Sequence, residues 1–308
     1  MFKKILVPLN GSLHAEQALE LVKKLWPKNE FELVLLEATG NPNLVYSVYG
    51  FGTTSYVQVS PGCLIKNSDY IKNITEKTEH WAPQVEGFVK FDTAERAIID
   101  VAVHEDVDLI VMVTHDYKGF ERLLFKSVTE QVIRDAPCPV LAIRDGHIPK
   151  HMLIAVDGTP FSETILEPAF ELAKLIKADI TLARVDRVRN PLRDRDVAEI
   201  KRFDPNLADA VLYNSGQEAN LYLKALWRHY LDEADEIKVN LDFDLARGRP
   251  EDRLAEMAER NGCDLIAMAT HGRKGLDRFW NRSVTEDVIR QTETAMLVLH
   301  PEPEAELA

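Results

Sequence analysis

Two histidines are the residues of this chain best suited to acid–base chemistry. His115 and His271 each follow a threonine at the end of an apolar run. General acid–base or nucleophilic catalysis needs a partner acid or nucleophile within hydrogen-bond reach of such a histidine. The surrounding sequence supplies neither partner, so both histidines are interpreted as structural hydrogen-bonding residues rather than catalytic ones.

Other sequence signatures of catalysis and metal binding are missing. The chain has no Walker-type lysine loop, and Cys63, Cys138 and Cys263 are too few and too scattered for a disulfide framework or a zinc site. We therefore expect no metal requirement and no dedicated enzymatic reaction. The sparse cysteines also favour a reducing, cytoplasmic location.

Two serine–glutamate pairs, Ser127-x-x-Glu130 and Ser283-x-x-Glu286, have the spacing of a helix capping box. In this motif the serine side chain and the glutamate side chain each satisfy a backbone amide at the start of a helix. The same amino end of a helix also attracts anions. The pattern leaves two interpretations open, a cap alone or a cap that also borders a ligand.

These motifs belong to an internal repeat. Residues 114–134 and 270–290 are identical at 12 of 21 positions, with a constant offset of 156. The first apolar run and turn, residues 5–12, matches residues 152–159 at an offset of 147, so the second copy carries about nine extra residues in its middle. A polar joint at 144–150 separates the copies. We predict two domains, at 1–146 and 150–301.

Each copy alternates strands and helices. Apolar runs without polar alternation predict strands of a parallel sheet that is buried on both faces. These runs lie at 5–9, 31–38, 109–113 and 140–143, and again at 153–156, 180–185, 265–269 and 296–299. A third strand is suggested at 87–92 and at 239–245. Apolar stripes at helical spacing predict the helices between them. They comprise Ala18, Leu19, Val22 and Leu25 in the first copy, and Ile165, Leu166, Ala169, Leu172 and Ile176 in the second, where Thr159 and Pro160 mark a helix start.

This alternation predicts the α/β class, with two tandem Rossmann-like domains, each built on a doubly wound, five-stranded parallel sheet. Ligands of such sheets bind beyond the carboxyl ends of the strands, where the strand order reverses. Asp108 and Asp264 precede predicted strands and are interpreted as strand starts rather than site residues. Trp227 and Tyr230 are interpreted as one face of a helix.

The composition is that of a globular protein that binds neither nucleic acid nor membrane. The 308 residues are 45% hydrophobic, and the net charge of -13 opposes contact with phosphate backbones. No apolar run approaches the roughly 20 residues of a membrane span, and the amino terminus lacks the apolar core of a secretion signal.

The motifs and their order resemble the universal stress protein family. The resemblance rests on a strand ending in Asp-Gly-Ser/Thr, then Asp-Leu-Ile-x-Met-x-Thr-His-Gly, Ser-Val-Thr-Glu and Cys-Pro-Val-Leu, and it covers both copies. The segment 203–207, followed by a helix through 223–226, resembles the insertion of the universal stress protein E type. Members of the family pair through their last strands. The resemblance therefore implies an internal pseudo-dimer in which 138–143 meets 294–299, and it leaves homodimers and protein partners open.

Nucleotide-binding members of this family carry the loop Gly-x-x-Gly, nine residues, then Gly-Ser. Glycine has no Cβ, which lets backbone amides close on phosphate oxygens. In the second copy these positions hold Ala269, Gly272 and Arg282, followed by Ser283, so one glycine of three remains.

The first copy retains none of these glycines. It carries Val113, Asp116 and Lys126, followed by Ser127. A carboxylate about 4 Å from a phosphate charge costs roughly 4 kcal/mol at an effective dielectric constant near 20, which is about a thousandfold in affinity. Asn10 also replaces an aspartate that the resemblance places at the ribose. We expect no ATP in the first copy.

The resemblance implies a candidate ATP site in the second copy. Arg273 and Arg282 are positioned to attract phosphates. For Arg282 the alternative is that its own side chain fills the phosphate pocket. The remaining residues are assigned to the ribose (Asp157), the adenine (Val185, Met268 and Ala269) and the phosphates (Gly272, Ser283, Val284 and Thr285).

The leading functional hypothesis is a stress-response binding protein that acts through conformation and association, with a nucleotide in its second domain. The alternatives are a weak ATPase or other nucleotide-dependent enzyme, and a binder of a non-nucleotide small molecule. A phospho-receiver is not favoured, because Leu9-Asn10 and Val156-Asp157 lack the paired acids that such a protein needs after its first strand.

Overall fold

The structure, a computed structural model, describes residues 2–26, 30–38, 61–114, 128–144, 146–186, 205–270, 284–292 and 294–300, without the side chains of 61–68 and 205–216. The chain forms two compact units. Unit 1 consists mainly of Met1–Ile148, and unit 2 of Pro149–His271 with Gly275–Leu299. No helix in the described part of the chain is long and apolar enough to cross a membrane.

Unit 1 is a Rossmann-like α/β domain with a parallel sheet in the order β3-β2-β1-β4-β5. The strand order reverses between β1 and β4, which makes the carboxyl ends of these strands the switch point. Its elements are β1 Lys4–Leu9, α1 Leu13–Leu25, β2 Glu32–Ala38, α2 Pro61–Thr78, β3 Gln84–Lys90, α3 Ala94–His104, β4 Leu109–Thr114, α4 Val128–Asp135 and β5 Val140–Arg144.

Unit 2 repeats this topology, with the parallel order β8-β7-β6-β9-β10. Its elements are β6 His151–Ala155, α5 Pro160–Glu163, α6 Leu166–Ile176, β7 Asp179–Asp186, α7 Pro205–Ile237, β8 Leu241–Arg247, α8 Pro250–Arg260, β9 Leu265–Ala269, α9 Val284–Gln291 and β10 Ala295–Leu299. The predicted fold class is confirmed. The predicted meeting of the two last strands stays a prediction.

Helix starts and apolar stripes follow the sequence pattern. The four stripe residues of α1 are all buried, and Ser12 caps this helix by accepting a hydrogen bond from the Ala15 amide at 3.2 Å. Thr159 caps α5 in the same way through the Ser162 amide, with Pro160 at the first helical position. In the second stripe Ile176 is only partly buried, because it lies in the last turn of α6.

Two aspartates join the start of one strand to the start of its neighbour. Asp108 accepts hydrogen bonds from the Lys3 and Lys4 amides at 2.9 and 2.8 Å, ahead of β1 and β4. Asp264 accepts from the Lys150 and His151 amides, both at 2.9 Å, ahead of β6 and β9. These contacts confirm the interpretation of both residues as strand starts.

The helix that follows the second strand packs differently in the two units. In unit 1 a Cβ added to Gly87 of β3 would lie 2.5 Å from Ile71 Cγ2 and 2.9 Å from Thr75 Oγ1 on α2. The strand registers place Phe243 at the corresponding position of unit 2. There its ring meets Trp227 on α7, with the centroids 6.2 Å apart. Unit 1 therefore requires glycine where unit 2 accepts an aromatic side chain.

The aromatic residues of α7 pack on the body of unit 2. Trp227 Nε1 donates a hydrogen bond to the Leu241 carbonyl at 2.8 Å. The Tyr230 ring stacks on Phe170 of α6 at a centroid distance of 4.6 Å. The prediction that Trp227 and Tyr230 form a helix face is confirmed.

Replacing Gly87 with alanine is expected to lower the free energy of unfolding by about 1–3 kcal/mol, because the new methyl group overpacks the contact with α2. Urea denaturation measures this change. Glu86→Ala on the same strand, at an exposed position, is the control and should stay within about 0.5 kcal/mol of the parent. Equal effects of the two substitutions would contradict the tight contact at Gly87.

Two buried thiols are expected to resist alkylation. Burial raises the pKa of Cys138 and of Cys263 to about 12 in each case, and both are free cysteines. Near pH 8 they stay protonated, so iodoacetamide should label them only after unfolding, since the thiolate is the nucleophile. Peptide mass spectrometry of native and urea-treated protein checks this. Full labelling of either cysteine in the native protein is the contrary result.

Candidate functional site

The candidate site of unit 2 lies at the carboxyl ends of β6, β7 and β9. The strand registers place Ala155 beside Ala183 of β7 and beside Met268 of β9. Because parallel strands end at the same edge of the sheet, Asp157, Val185 and the end of β9 come to one edge. Val185 and Met268 are buried, and Asp157 is exposed to solvent. The edge thus combines apolar walls with one accessible carboxylate.

A hydrogen-bonded turn fixes the Asp157 side chain. Its Oδ1 accepts from the Thr159 amide at 2.9 Å and from Thr159 Oγ1 at 2.6 Å, as aspartate commonly does in such turns. Ser162 Oγ accepts from the Asp157 amide at 3.1 Å. Partial loss of hydration raises the pKa of Asp157, but hydrogen bonds from Thr159 and Ser162, with the charge of Arg184, hold it below its usual value. Asp157 is therefore anionic at neutral pH.

Unit 1 builds the same turn without the charge. Asn10 Oδ1 accepts from the Ser12 amide at 3.1 Å and from Ser12 Oγ at 2.6 Å. A neutral amide oxygen therefore suffices to form this turn. The negative charge of Asp157 is not needed to fold the loop and is a distinguishing feature of the unit 2 edge.

A cluster of Glu163, Arg184 and Tyr222 lies beside this turn, and the sequence analysis did not identify it. Tyr222 on α7 donates its hydroxyl hydrogen to Glu163 Oε1 at 2.7 Å. The Arg184 guanidinium carbon lies 4.9 Å from the centre of the Tyr222 ring, a cation–π contact. Arg184 Nη1 would be 2.7 Å from a Cβ on Gly158, whose φ is +88°. Glycine at 158 therefore leaves the space that the guanidinium occupies.

Unit 1 carries the same tyrosine–glutamate pair with a different third residue. Tyr70 on α2 donates to Glu16 Oε1 at 3.0 Å. At the 147-residue offset Glu16 corresponds to Glu163, and Glu37 corresponds to Arg184. Glu37 is buried, with 9% of its surface exposed. The two sheet edges thus share a hydrogen bond and carry opposite charges at the end of their second strands.

The phenols of both pairs are held in the protonated form. Burial, and after it the hydrogen bond to Glu163, raise the pKa of Tyr222 well above its usual value. Burial and the hydrogen bond to Glu16 do the same for the pKa of Tyr70. Both tyrosines therefore remain donors to their glutamates throughout the physiological pH range.

Of the predicted phosphate-facing residues, the structure describes only Val284 and Thr285. They form the start of α9, where Thr285 is buried and Val284 is partly buried. Gly272, Arg273, Arg282 and Ser283 lie outside the described residues, as do His271 and the unit 1 positions His115, Asp116, Lys126 and Ser127. Ala269, at the end of β9, is partly buried. Within the described ranges no group of His, Cys, Asp and Glu side chains is arranged to hold a metal.

A surface groove of about 910 Å³ lies elsewhere on unit 2, along α8 and the carboxyl end of α9. Its lining includes Gly262 and Cys263 ahead of β9, with Thr292 and Thr294 ahead of β10. It therefore borders the amino ends of these strands, whereas Asp157 lies at the carboxyl edge. The groove is separate from the candidate site.

The turn at Asp157 provides a stability test. Asp157→Ala is expected to lower the free energy of unfolding by about 0.5–2 kcal/mol, because both bonds to Thr159 at the start of α5 are lost. Asp157→Asn should cost less, since Asn10 makes the equivalent bonds in unit 1. Urea denaturation at neutral pH compares the two variants, and Asn10→Ala is the matched substitution in unit 1.

The same turn sets a pH dependence. Because the folded-state pKa of Asp157 is lowered, its contribution to stability is complete above the unfolded value of about 3.9 and disappears as the pH falls through the folded-state value. Asp157→Asn should therefore lose less stability than the parent on acidification below about pH 4. Identical acid unfolding curves for parent and variant would speak against a lowered pKa.

Comparison with known proteins gives a consistent result for both halves of the chain. A sequence model described as the universal stress protein family matches residues 1–144 and 149–300. The chain is 22% identical to the universal stress protein E homolog of Haemophilus influenzae, over 97% of this chain and 98% of that protein. It is 25% identical to universal stress protein E of Escherichia coli over 221 residues, 67% of this chain and 65% of that one.

Solved structures share the fold. The crystal structure of a universal stress protein from Archaeoglobus fulgidus matches with a TM-score of 0.65 and 18% identity, over 96% of this chain and 98% of that one. A universal stress protein structure from Pseudomonas aeruginosa matches with a TM-score of 0.64 and 16% identity, over 97% and 94% of the two chains.

Proposed function

The chain belongs to the universal stress protein family as a tandem protein with two such domains, and from this membership we propose a stress-response binding protein whose unit 2 holds an adenine nucleotide. The proposed nucleotide lies at the carboxyl edge of β6, β7 and β9. Binding, rather than a dedicated reaction, is the proposed activity, and a change in conformation or association on binding is the proposed signal.

The difference between the two sheet edges carries this proposal. Unit 2 has an accessible carboxylate, Asp157, beside the buried apolar side chains of Val185 and Met268. Adenine is planar and largely apolar, so buried aliphatic walls suit it, while a carboxylate accepts hydrogen bonds from ribose hydroxyls. The phosphates are proposed to reach Gly272, Ser283 and the start of α9.

Unit 1 is proposed not to take the same ligand. Its edge has Asn10 in place of the aspartate and Glu37 in place of Arg184. A carboxylate in place of a guanidinium adds repulsion for an anionic nucleotide, on top of the repulsion expected from Asp116 in the loop. At a separation of about 4 Å and an effective dielectric constant near 20, each such charge pair costs roughly 4 kcal/mol.

The location and the pairing of the units are also proposals. Two cysteines are buried as free thiols, which agrees with the reducing cytoplasm proposed as the site of action. The last strands of the two units are proposed to pair as an internal pseudo-dimer.

Isothermal titration of the full chain with ATP and AMP tests the nucleotide proposal. We expect one site per chain, and Gly272→Asp should weaken ATP binding about a thousandfold, because it places a carboxylate beside the phosphates. Asn10→Ala in unit 1 is the control and should leave affinity unchanged. Two sites per chain, or undiminished binding by Gly272→Asp, would contradict the proposal.

Phosphate release from ATP separates binding from enzymatic turnover. The parent protein is expected to release phosphate no faster than Gly272→Asp. A rate well above that of this variant would favour the ATPase alternative. Mass spectrometry of a ligand that copurifies with the protein would reveal a non-nucleotide ligand.

A further inference from the structure

Among the described residues, the contacts that hold the Arg184 guanidinium are a ring contact and a close approach to a glycine, and they do not use its hydrogen-bond donors. The guanidinium stacks on the Tyr222 ring at 4.9 Å and lies over Gly158. In the described part of the chain, no side chain or carbonyl accepts a hydrogen bond from it, and no carboxylate is within ion-pair distance. Arginine carries five N–H donors in a rigid planar group, and the described residues leave the donors of this partly buried side chain to a ligand.

The nearby carboxylates have other partners. Asp157 Oδ1 accepts two hydrogen bonds from Thr159, and Glu163 Oε1 accepts one from Tyr222. Arg184 is nevertheless close enough to contribute to lowering the pKa of Asp157. The Arg184 guanidinium is therefore an oriented positive charge beside the turn, and the hydrogen bonds of Asp157 and Glu163 described here do not involve it.

We propose that Arg184 is a phosphate-recognition residue of unit 2 that selects nucleotides carrying a phosphate on the 2′ or 3′ oxygen of the ribose. The inference rests on the proposed function, which sets the ribose beside Asp157. Arg184 and Asp157 both border Gly158, so the sugar presents one free hydroxyl to the carboxylate and a phosphate to the guanidinium. Rossmann-type sites use an arginine near the ribose for this purpose.

The choice of arginine fits this role. A guanidinium binds a phosphate through two parallel hydrogen bonds, and it stacks on an aromatic ring at the same time, which a lysine ammonium does not do in the same geometry. Tyr222 is itself fixed by its bond to Glu163, so the guanidinium is oriented before the ligand arrives. This preorganisation reduces the entropy lost on binding.

Unit 1 provides the internal contrast. It keeps the tyrosine–glutamate pair, Tyr70 and Glu16, but has the carboxylate of Glu37 where unit 2 has the guanidinium. A ribose phosphate would be repelled there. Arg184 in unit 2 and Glu37 in unit 1 are therefore proposed to give the two units different ligands, with a ribose phosphate accepted only in unit 2.

Isothermal titration with AMP, adenosine 2′,5′-bisphosphate and adenosine 3′,5′-bisphosphate tests the inference. At least one bisphosphate is expected to bind the parent protein about tenfold or more tightly than AMP, the gain of a charge-assisted hydrogen-bonded pair. Arg184→Gln should abolish this advantage, so that AMP and the bisphosphates bind with about equal affinity, whereas Arg184→Lys should keep part of it. Arg184→Glu, which copies the unit 1 residue, should bind the bisphosphates more weakly than AMP.

Arg260→Gln is the matched control, because it removes the same charge from unit 2 at a residue that pairs with Asp244 on β8. It should keep the full advantage of the bisphosphates. Equal binding of AMP and both bisphosphates, or an advantage that survives Arg184→Gln, would overturn this inference and leave the nucleotide proposal standing. Failure of all three ligands to bind would overturn both.

Discussion

The parallel pairing of β6 with β7 on one side and with β9 on the other is the interaction on which the candidate site depends. Each strand ends at a different point of the sequence, yet the hydrogen-bond register brings Ala155, Ala183 and Met268 side by side. Asp157, Arg184 and Val185 reach one edge only because this register holds. The Asp264 carboxylate secures it from the opposite end, where it bonds the Lys150 and His151 amides.

The two units keep the hydrogen bonds of this edge and change its charges. The turn after the first strand is closed by a side-chain oxygen in both units, and a tyrosine of the following long helix bonds a glutamate in both. The two units differ at two positions of this edge: Asn10 and Glu37 of unit 1 correspond to Asp157 and Arg184 of unit 2. A duplicated domain can change its ligand in this way, because the charges are not needed to build the scaffold that carries them.

The sequence predicted most strands to within one or two residues, because strands buried on both faces, such as β1, β4 and β9, are continuous apolar runs. The predictions for β3 and β8 were displaced by two or three residues. β3 begins at Gln84 rather than Gly87, since Gln84 and Glu86 are polar and exposed, and pairing with β2 makes this segment a strand.

Arg184 and Tyr222 were missed for a different reason. Glu37 and Arg184 correspond at the 147-residue offset but differ in charge, so sequence identity does not connect them. Tyr70 and Tyr222 are 152 residues apart, an offset that neither flanking motif shares, because the extra residues of the second copy fall on both sides of Tyr222. Only the shared tyrosine–glutamate hydrogen bond reveals that the two positions are equivalent.

The hydrogen bonds that Asp108 and Asp264 accept from the amides at the start of β1 and β6 also affect how the chain folds as it is synthesised. Asp108 bonds an amide 105 residues earlier in the chain, and Asp264 one 114 residues earlier. On the ribosome, β1 and β6 can pair early with β2 and β7, but their other edges must wait for β4 and β9, when most of the unit has emerged. Closing such long loops is slow, and each wait leaves one edge of an apolar strand unpaired. Translation of this protein thus passes twice through an interval in which a chaperone has the most to protect.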